Sequence, residues 1–389
     1  MNAELNQYMK EQLALVSLAV RRYMYNKIDW GRRMFGLVGP RGVGKTTMFL
    51  QYIKESTNKC FYVSADHTYF ASHSLIDVAD EFIKEGGEYL FIDEIHKYEG
   101  WSTELKQIYD SHPELKIAFT GSSLLDITSA GEADLSRRAP IYLMQGLSFR
   151  EFLEMFKGIS APVFSFEDIV SGKVTIPDLK HPLPYFKEYL HHGYYPFGDD
   201  PEFNLLLVQI MRQTMETDIP HFANMTPATG RKLFRLLGII AESVPFKPNM
   251  DNLADILGVS RNILPTYFMY MEKAGMIEQL RDGTGGIGGF RKVEKVYLDN
   301  TNQAFVLGGN ATVIGNIRET FFFNQMRINN DVSVSPLSDF CIGKYTFEVG
   351  GKKKGKKQIA DITNGYVVRD DIEYASGNII PLWHFGLNY

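Results

Sequence analysis

Residues 38–52 read VGPRGVGKTTMFLQY. Within them Gly39, Gly44, Lys45 and Thr46 fall at the spacing G-x-x-x-x-G-K-[ST]. The setting agrees, because MFGLVG (34–39) is an apolar run ending in glycine and TTMFLQYIKE (46–55) reads as a helix. A strand that passes through glycines into a helix turns backbone N–H groups inward and adds the partial positive charge of a helix N-terminus. Both features suit a phosphate. The run Gly39, Pro40, Arg41, Gly42, Val43, Gly44, Lys45, Thr46 and Thr47 is therefore the candidate cradle for the phosphates of a nucleotide. Lys45 is expected on the β- and γ-phosphates, and the Thr46 hydroxyl on Mg2+.

Outward from this loop, the first 150 residues alternate two textures. Apolar strand-like runs at 60–66, 89–94, 116–123 and 140–145 are separated by helical patterns at 75–85 and 101–113. With 34–39 they predict an α/β unit whose five-stranded parallel sheet is covered on both faces, so functional residues should gather at the carboxyl ends of its strands. The run YLFIDE (89–94) delivers Asp93 and Glu94 to such an end. Asp93 is expected to hold the metal, and Glu94 to polarise an attacking water. The next strand ends in TGSS, where Ser122 is the candidate donor to the γ-phosphate or the water, and Ser123 suits a helix N-cap. Arg137 and Arg138 follow in DLSRRAP; either would face the γ-phosphate of a neighbouring subunit as an arginine finger.

The strings GPRGVGKT, YLFIDEIHKYEGW, FTGSS, LSRRAPIYLMQGLSFREF and YLHHGYYP resemble a family of prokaryotic AAA-type P-loop ATPases that carry a C-terminal domain of unknown function. The resemblance spans most of the chain. It implies ATP binding with Mg2+, a five-stranded parallel sheet, and a C-terminal portion similar to the restriction-endonuclease fold.

Composition sets the remaining bounds. The 389 residues, 44% hydrophobic and 22% charged, supply apolar material for two or three cores, at roughly 100–200 residues per domain. A net charge of −5 gives no overall attraction to nucleic acid or anionic membrane. The two cysteines, Cys60 and Cys341, read as buried thiols of a reducing compartment, and the cytoplasm is the expected location. The uncharged run LALVSLAV (13–20) is too short to span a bilayer and is predicted as a helix lying on the first domain.

Four segments are expected: the ATPase domain at 1–150, a helical linker at 151–229, a winged-helix-like domain at 230–292 and an α+β domain at 293–389. In the third, LADILGVSRNILPTYFMYMEKAGMIEQL (253–280) shows two helices joined by GVS, with Ser260 as a cap and Arg261 and Asn262 facing a DNA groove. Pro265 lies inside the second helix and predicts a late start or a bend. A formal G-x-G-x-x-G at Gly283, Gly285 and Gly288 precedes a strand-like run rather than a helix, so it reads as a hairpin tip. In the fourth segment, Asp339 and Glu348 look like the acids of a metal-dependent nuclease core. The lysine of its E-x-K pair is replaced by Gly350, and Lys352 is the nearest lysine, usable if the glycines bulge the strand. The reading is a degenerate, inactive nuclease-like site. The basic run Lys352–Lys357 is a candidate contact for a nucleic-acid backbone. An ATPase acting on nucleic acid or a protein partner leads, with a homo-oligomer among its candidate states. An ATP-dependent switch with negligible turnover and an ATP-gated nuclease are the alternatives.

Overall fold

Asn2 starts the first helix by accepting hydrogen bonds from the N–H groups of Glu4 and Leu5, and α1 spans Ala3–Leu15. The computed structural model describes residues 2–121, 135, 137–242, 245–283, 292–309, 312–355 and 359–389. They form two units, Met1–Gln145 and Gly146–Tyr389.

In the first unit the elements after α1 are β1 (Met34–Val38), α2 (Lys45–Glu55), β2 (Cys60–Ser64), α3 (Leu75–Lys84), β3 (Tyr89–Asp93), α4 (Trp101–Ser111), β4 (Lys116–Gly121) and β5 (Ile141–Leu143). The five strands are parallel in the order β2-β3-β4-β1-β5. Every residue of β1 and β3 is buried, as a parallel sheet covered on both faces requires. This is the α/β architecture that the alternation predicts. The order places β4 between the strand that feeds the glycine loop and the strand that ends in Asp93.

The run at 13–20 departs from expectation. The helix stops at Leu15, and Val16 is already extended. The backbone carbonyls freed by that stop are taken by side chains of α2. Lys54 Nζ donates to Leu13 O and Val16 O, and Gln51 Nε2 to Ser17 O and Val20 O. Apolar character at 13–20 thus reports a strap over α2 rather than a helical face.

The second unit begins with α5 (Phe149–Lys157), closed by a capping box between Ser148 and Glu151. The helices α6 (Phe166–Val170), α7 (Pro182–His192) and α8 (Phe203–Gln213) follow, and α8 passes through a π-helical turn (Thr214–Asp218) into α9 (Ile219–Phe222). Next come α10 (Pro227–Glu242), α11 (Met250–Leu257) and α12 (Leu264–Lys273). Pro265 sits in the first turn of α12, behind a 3-10 turn at Arg261–Ile263 whose N-cap is Ser260, so the helix starts late. β6 (Ile277–Arg281) and β7 (Val293–Leu298) pair antiparallel, while Gly285 and Gly288 lie outside the described residues. After α13 (Thr301–Gly308) and α14 (Ile314–Met326) comes a mixed sheet of β8 (Val332–Val334), β9 (Phe340–Ile342), β10 (Tyr345–Gly350), β11 (Gly365–Arg369) and β12 (Ile379–Pro381) in the order β12-β11-β10-β9-β8. The C-terminal part is therefore α+β.

The interior of this unit is unusually polar. The Asn302 side chain accepts from Tyr194 N (2.9 Å) and donates to Tyr189 O (3.1 Å) and Leu190 O (2.9 Å). Arg327 lies 2.6 Å from both Glu278 and Asp299. Among the described residues no helix is long and apolar enough to cross a membrane.

Candidate nucleotide and metal site

The loop between β1 and α2 needs its glycines. Gly39, Gly42 and Gly44 have φ of 154°, 79° and 97°. A Cβ on Gly39 would stand 2.1 Å from Met144 O, where the chain leaves β5. Only a residue without a side chain lets the loop and that backbone lie so close. Gly44 caps α2, and Lys45 begins it.

Lys45 is buried, and its Nζ donates to Gly39 O and Pro40 O, both at 2.8 Å. Burial lowers this ammonium to about 8, against the pull of Glu94 and Asp93, which favour the charged form. The loop therefore holds a cation over its own carbonyls, an arrangement that an anionic phosphate can take over.

Thr46 Oγ1 donates to Asp93 Oδ2 at 2.7 Å, so the two residues named for the metal meet. Asp93 is itself buried, with two further donors: Tyr62 OH at 2.9 Å on Oδ2, and the Thr120 hydroxyl on Oδ1. Thr120 Oγ1 also accepts from Glu94 N at 3.0 Å. That bond supports a strained backbone, because Glu94 has φ of 50° in a non-glycine residue. Its Oε2 lies 3.5 Å from His96 Nε2.

Two residues of the site, Thr120 and Tyr62, are not among the sequence candidates. Thr120 carries a signal, since strand alternation puts it on the same side as Ser122, which itself lies outside the described residues. Tyr62 carries none, because an aromatic in an apolar strand is ordinarily core. Of the arginines, Arg138 is turned back on its own unit, with Nε and Nη2 at 3.2 and 3.1 Å from the Asp110 carboxylate. Arg137 is exposed. Arg22, buried, donates to Val43 O in the loop and, at 2.7 Å, to Gln145 O.

In the second unit Asp339 and Glu348 come together near the end of β10. Asp339 Oδ2 accepts from Val349 N at 2.9 Å, and Glu348 accepts from Ser338 Oγ. The lysine differs from expectation. Lys352 is exposed, whereas Lys354 forms the ion pair with Glu348. Gly350 makes this feasible, because a Cβ there would meet the Lys354 stem at 2.6 Å. Instead of bulging, the strand ends at Gly350 and a lysine four residues on folds back over it. Lys295 lies 3.9 Å from Asp339 and 3.6 Å from Glu319. Burial first, then the Glu319 carboxylate, raises Asp339 to about 6. Among the described residues no group of three or more His, Cys, Asp or Glu side chains is placed to hold a metal.

A family described as an AAA domain matches residues 31–153, and one described as a domain of unknown function matches residues 183–301. An uncharacterised protein of Methanocaldococcus jannaschii is 26% identical over 319 residues, which are 70% of this chain and 65% of that protein. The chain thus spans a little under two thirds of that relative's length. Among solved structures, the Walker-type ATPase of Pyrococcus abyssi aligns over 78% of this chain and 95% of its own, with 13% identity and a TM-score of 0.43. A signal-transduction ATPase with a tetratricopeptide-repeat sensor from Pyrococcus horikoshii aligns over 81% of this chain and 46% of its own, at 12% identity and a TM-score of 0.31. With the family match and the parallel sheet together, the N-terminal unit has the fold of an AAA-type P-loop ATPase.

Proposed function

We propose that the chain binds ATP with Mg2+ in the loop after β1 and hydrolyses it. The observation that carries this reading is the 2.7 Å approach of Thr46 to Asp93 beside a lysine held by its own loop carbonyls. Backbone N–H groups of Gly39–Gly44 bind the phosphates, with Pro40, Arg41, Gly42 and Val43 shaping the turn and Thr47 following in the helix. Lys45 exchanges two carbonyls for phosphate oxygens. Thr46 and Asp93 would hold Mg2+, which would supply positive charge against the phosphates. Glu94 orients and deprotonates the attacking water, in a backbone geometry that Thr120 maintains. Glu94→Ala should reduce turnover by about 10²–10⁴-fold while ATP still binds. Turnover unchanged in that variant would remove Glu94 from catalysis.

Of the two arginines, Arg137 is the one we assign as a finger for a neighbouring subunit, because Asp110 already engages Arg138. Activity per mole should rise with protein concentration in the native chain and stay flat in Arg137→Ala. A flat profile in both would favour the switch without appreciable turnover. Ser122 remains a candidate donor to the γ-phosphate.

We infer further that the C-terminal α+β part is a binding module without nuclease chemistry, since Lys354 and Lys295 already answer the charges of Glu348 and Asp339. Metal-dependent nicking of plasmid by the native chain, lost in Glu348→Ala, would overturn this. The helix–turn–helix within 230–292 with the antiparallel strands β6 and β7, and the run Lys352–Lys357, are the surfaces we propose for a nucleic-acid or protein partner. Lys356 and Lys357 lie outside the described residues.

A further inference from the structure

The metal ligand Asp93 is held from both sides of β3. Thr120 on β4 donates to Oδ1, and Tyr62 on β2 donates to Oδ2 at 2.9 Å. A phenol is a costly thing to bury, and Tyr62 is 1% exposed. Its hydroxyl is aimed at the one carboxylate that also meets Thr46. An ion held by Thr46 and Asp93 would replace the bond between them, whereas Tyr62 and Thr120 reach the carboxylate from β2 and β4. They then fix which way the carboxylate lone pairs point.

Behind Tyr62 stands α1. Tyr8 stacks on Tyr62, with ring centroids 6.1 Å apart and planes 19° from parallel. Met9 Sδ of the same helix accepts from Tyr62 N at 3.3 Å. The Tyr8 ring and the Met9 sulfur together hold Tyr62 from the side opposite Asp93.

We propose that Tyr62 is a positioning residue for the metal ligand Asp93, and that α1 acts on the same carboxylate by packing the Tyr8 ring against Tyr62. The proposal rests on the nucleotide–metal reading of this site. It makes the N-terminal helix a determinant of metal affinity although it contributes no ligand.

The test uses Mn2+ as probe. Its binding to the ADP-loaded full chain is followed by the electron paramagnetic resonance of the free ion, and nucleotide affinity is measured in parallel in EDTA. Tyr62→Phe keeps the ring and should weaken Mn2+ binding about ten-fold, as loss of an outer-shell partner does, with affinity in EDTA unchanged. Tyr8→Ala removes the packed ring and should lose less, and Tyr8→Ala/Tyr62→Phe should equal Tyr62→Phe alone, because Tyr8 works only through the Tyr62 hydroxyl. Unchanged Mn2+ affinity in Tyr62→Phe overturns the proposal, and additive losses in the double variant overturn the route through α1. A native chain with no nucleotide affinity even in EDTA would instead sink the phosphate-site reading on which both depend.

Discussion

At the scale of single residues, Asp93 is the centre of the site because three neutral hydroxyls converge on it from three neighbouring elements, α2, β2 and β4. Thr120 does two jobs, donating to Asp93 and accepting from the strained Glu94 backbone. Thr120→Val keeps the shape and removes both. It should destabilise the first unit by about 1–3 kcal/mol, the cost of leaving buried polar groups unmet. Turnover should fall more than ATP affinity, which steady-state kinetics against nucleotide titration would separate. Equal losses in both would mean that Thr120 acts only on the fold. The loop, Asp93 and Glu94 are legible in the sequence because their chemistry needs fixed residue types at fixed spacings. Tyr62 and Thr120 are not, since what makes them functional is which strands become neighbours, and strand order is not written along the chain. The lysine facing Glu348 escapes for a related reason: strand periodicity points to position 350 and then to the nearest lysine, whereas a glycine lets a more distant side chain fold back.

At the scale of elements, the glycines separate by what surrounds them. Gly39 meets the Met144 carbonyl and has φ of 154°, so Gly39→Ala should cost about 3 kcal/mol and abolish nucleotide binding. Gly238, inside α10, has nothing within 4 Å of where a methyl would stand, and Gly238→Ala should raise stability by about 0.5–1 kcal/mol. Urea unfolding of the two variants checks both signs. Strands β1 and β3 are predictable from their near-continuous apolar character, which their full burial explains. The strap after Leu15 is not, because a run of apolar residues does not say whether its carbonyls will be served by the next turn of helix or, as here, by Gln51 and Lys54.

At the scale of the whole molecule, the half-buried Asp339 and the buried His384 tilt the stability of the second unit with pH in opposite directions. Asp339, raised to about 6, keeps its proton in the folded state at pH values where the unfolded chain has lost it. Its contribution is therefore complete below about pH 4 and disappears as pH rises through 6. His384 is held at about 3 by burial alone, so it stays neutral when the unfolded chain would take a proton. Its contribution is present above about pH 6.5 and disappears as pH falls. In thermal melts between pH 4 and 7, Asp339→Asn should show a steeper loss of stability toward acid than the native chain, and His384→Phe a shallower one. Parallel profiles for both variants and the native chain would refute the pairing. One buried cation sets a different kind of link. Arg22 grips the glycine loop at Val43 with one nitrogen and, with another, the carbonyl of Gln145, the residue at which the first unit ends and the chain goes on to the second. A guanidinium is a stiff, flat fork, so Arg22 acts as a tie rod that keeps the glycine loop and the last residue of the first unit at one spacing.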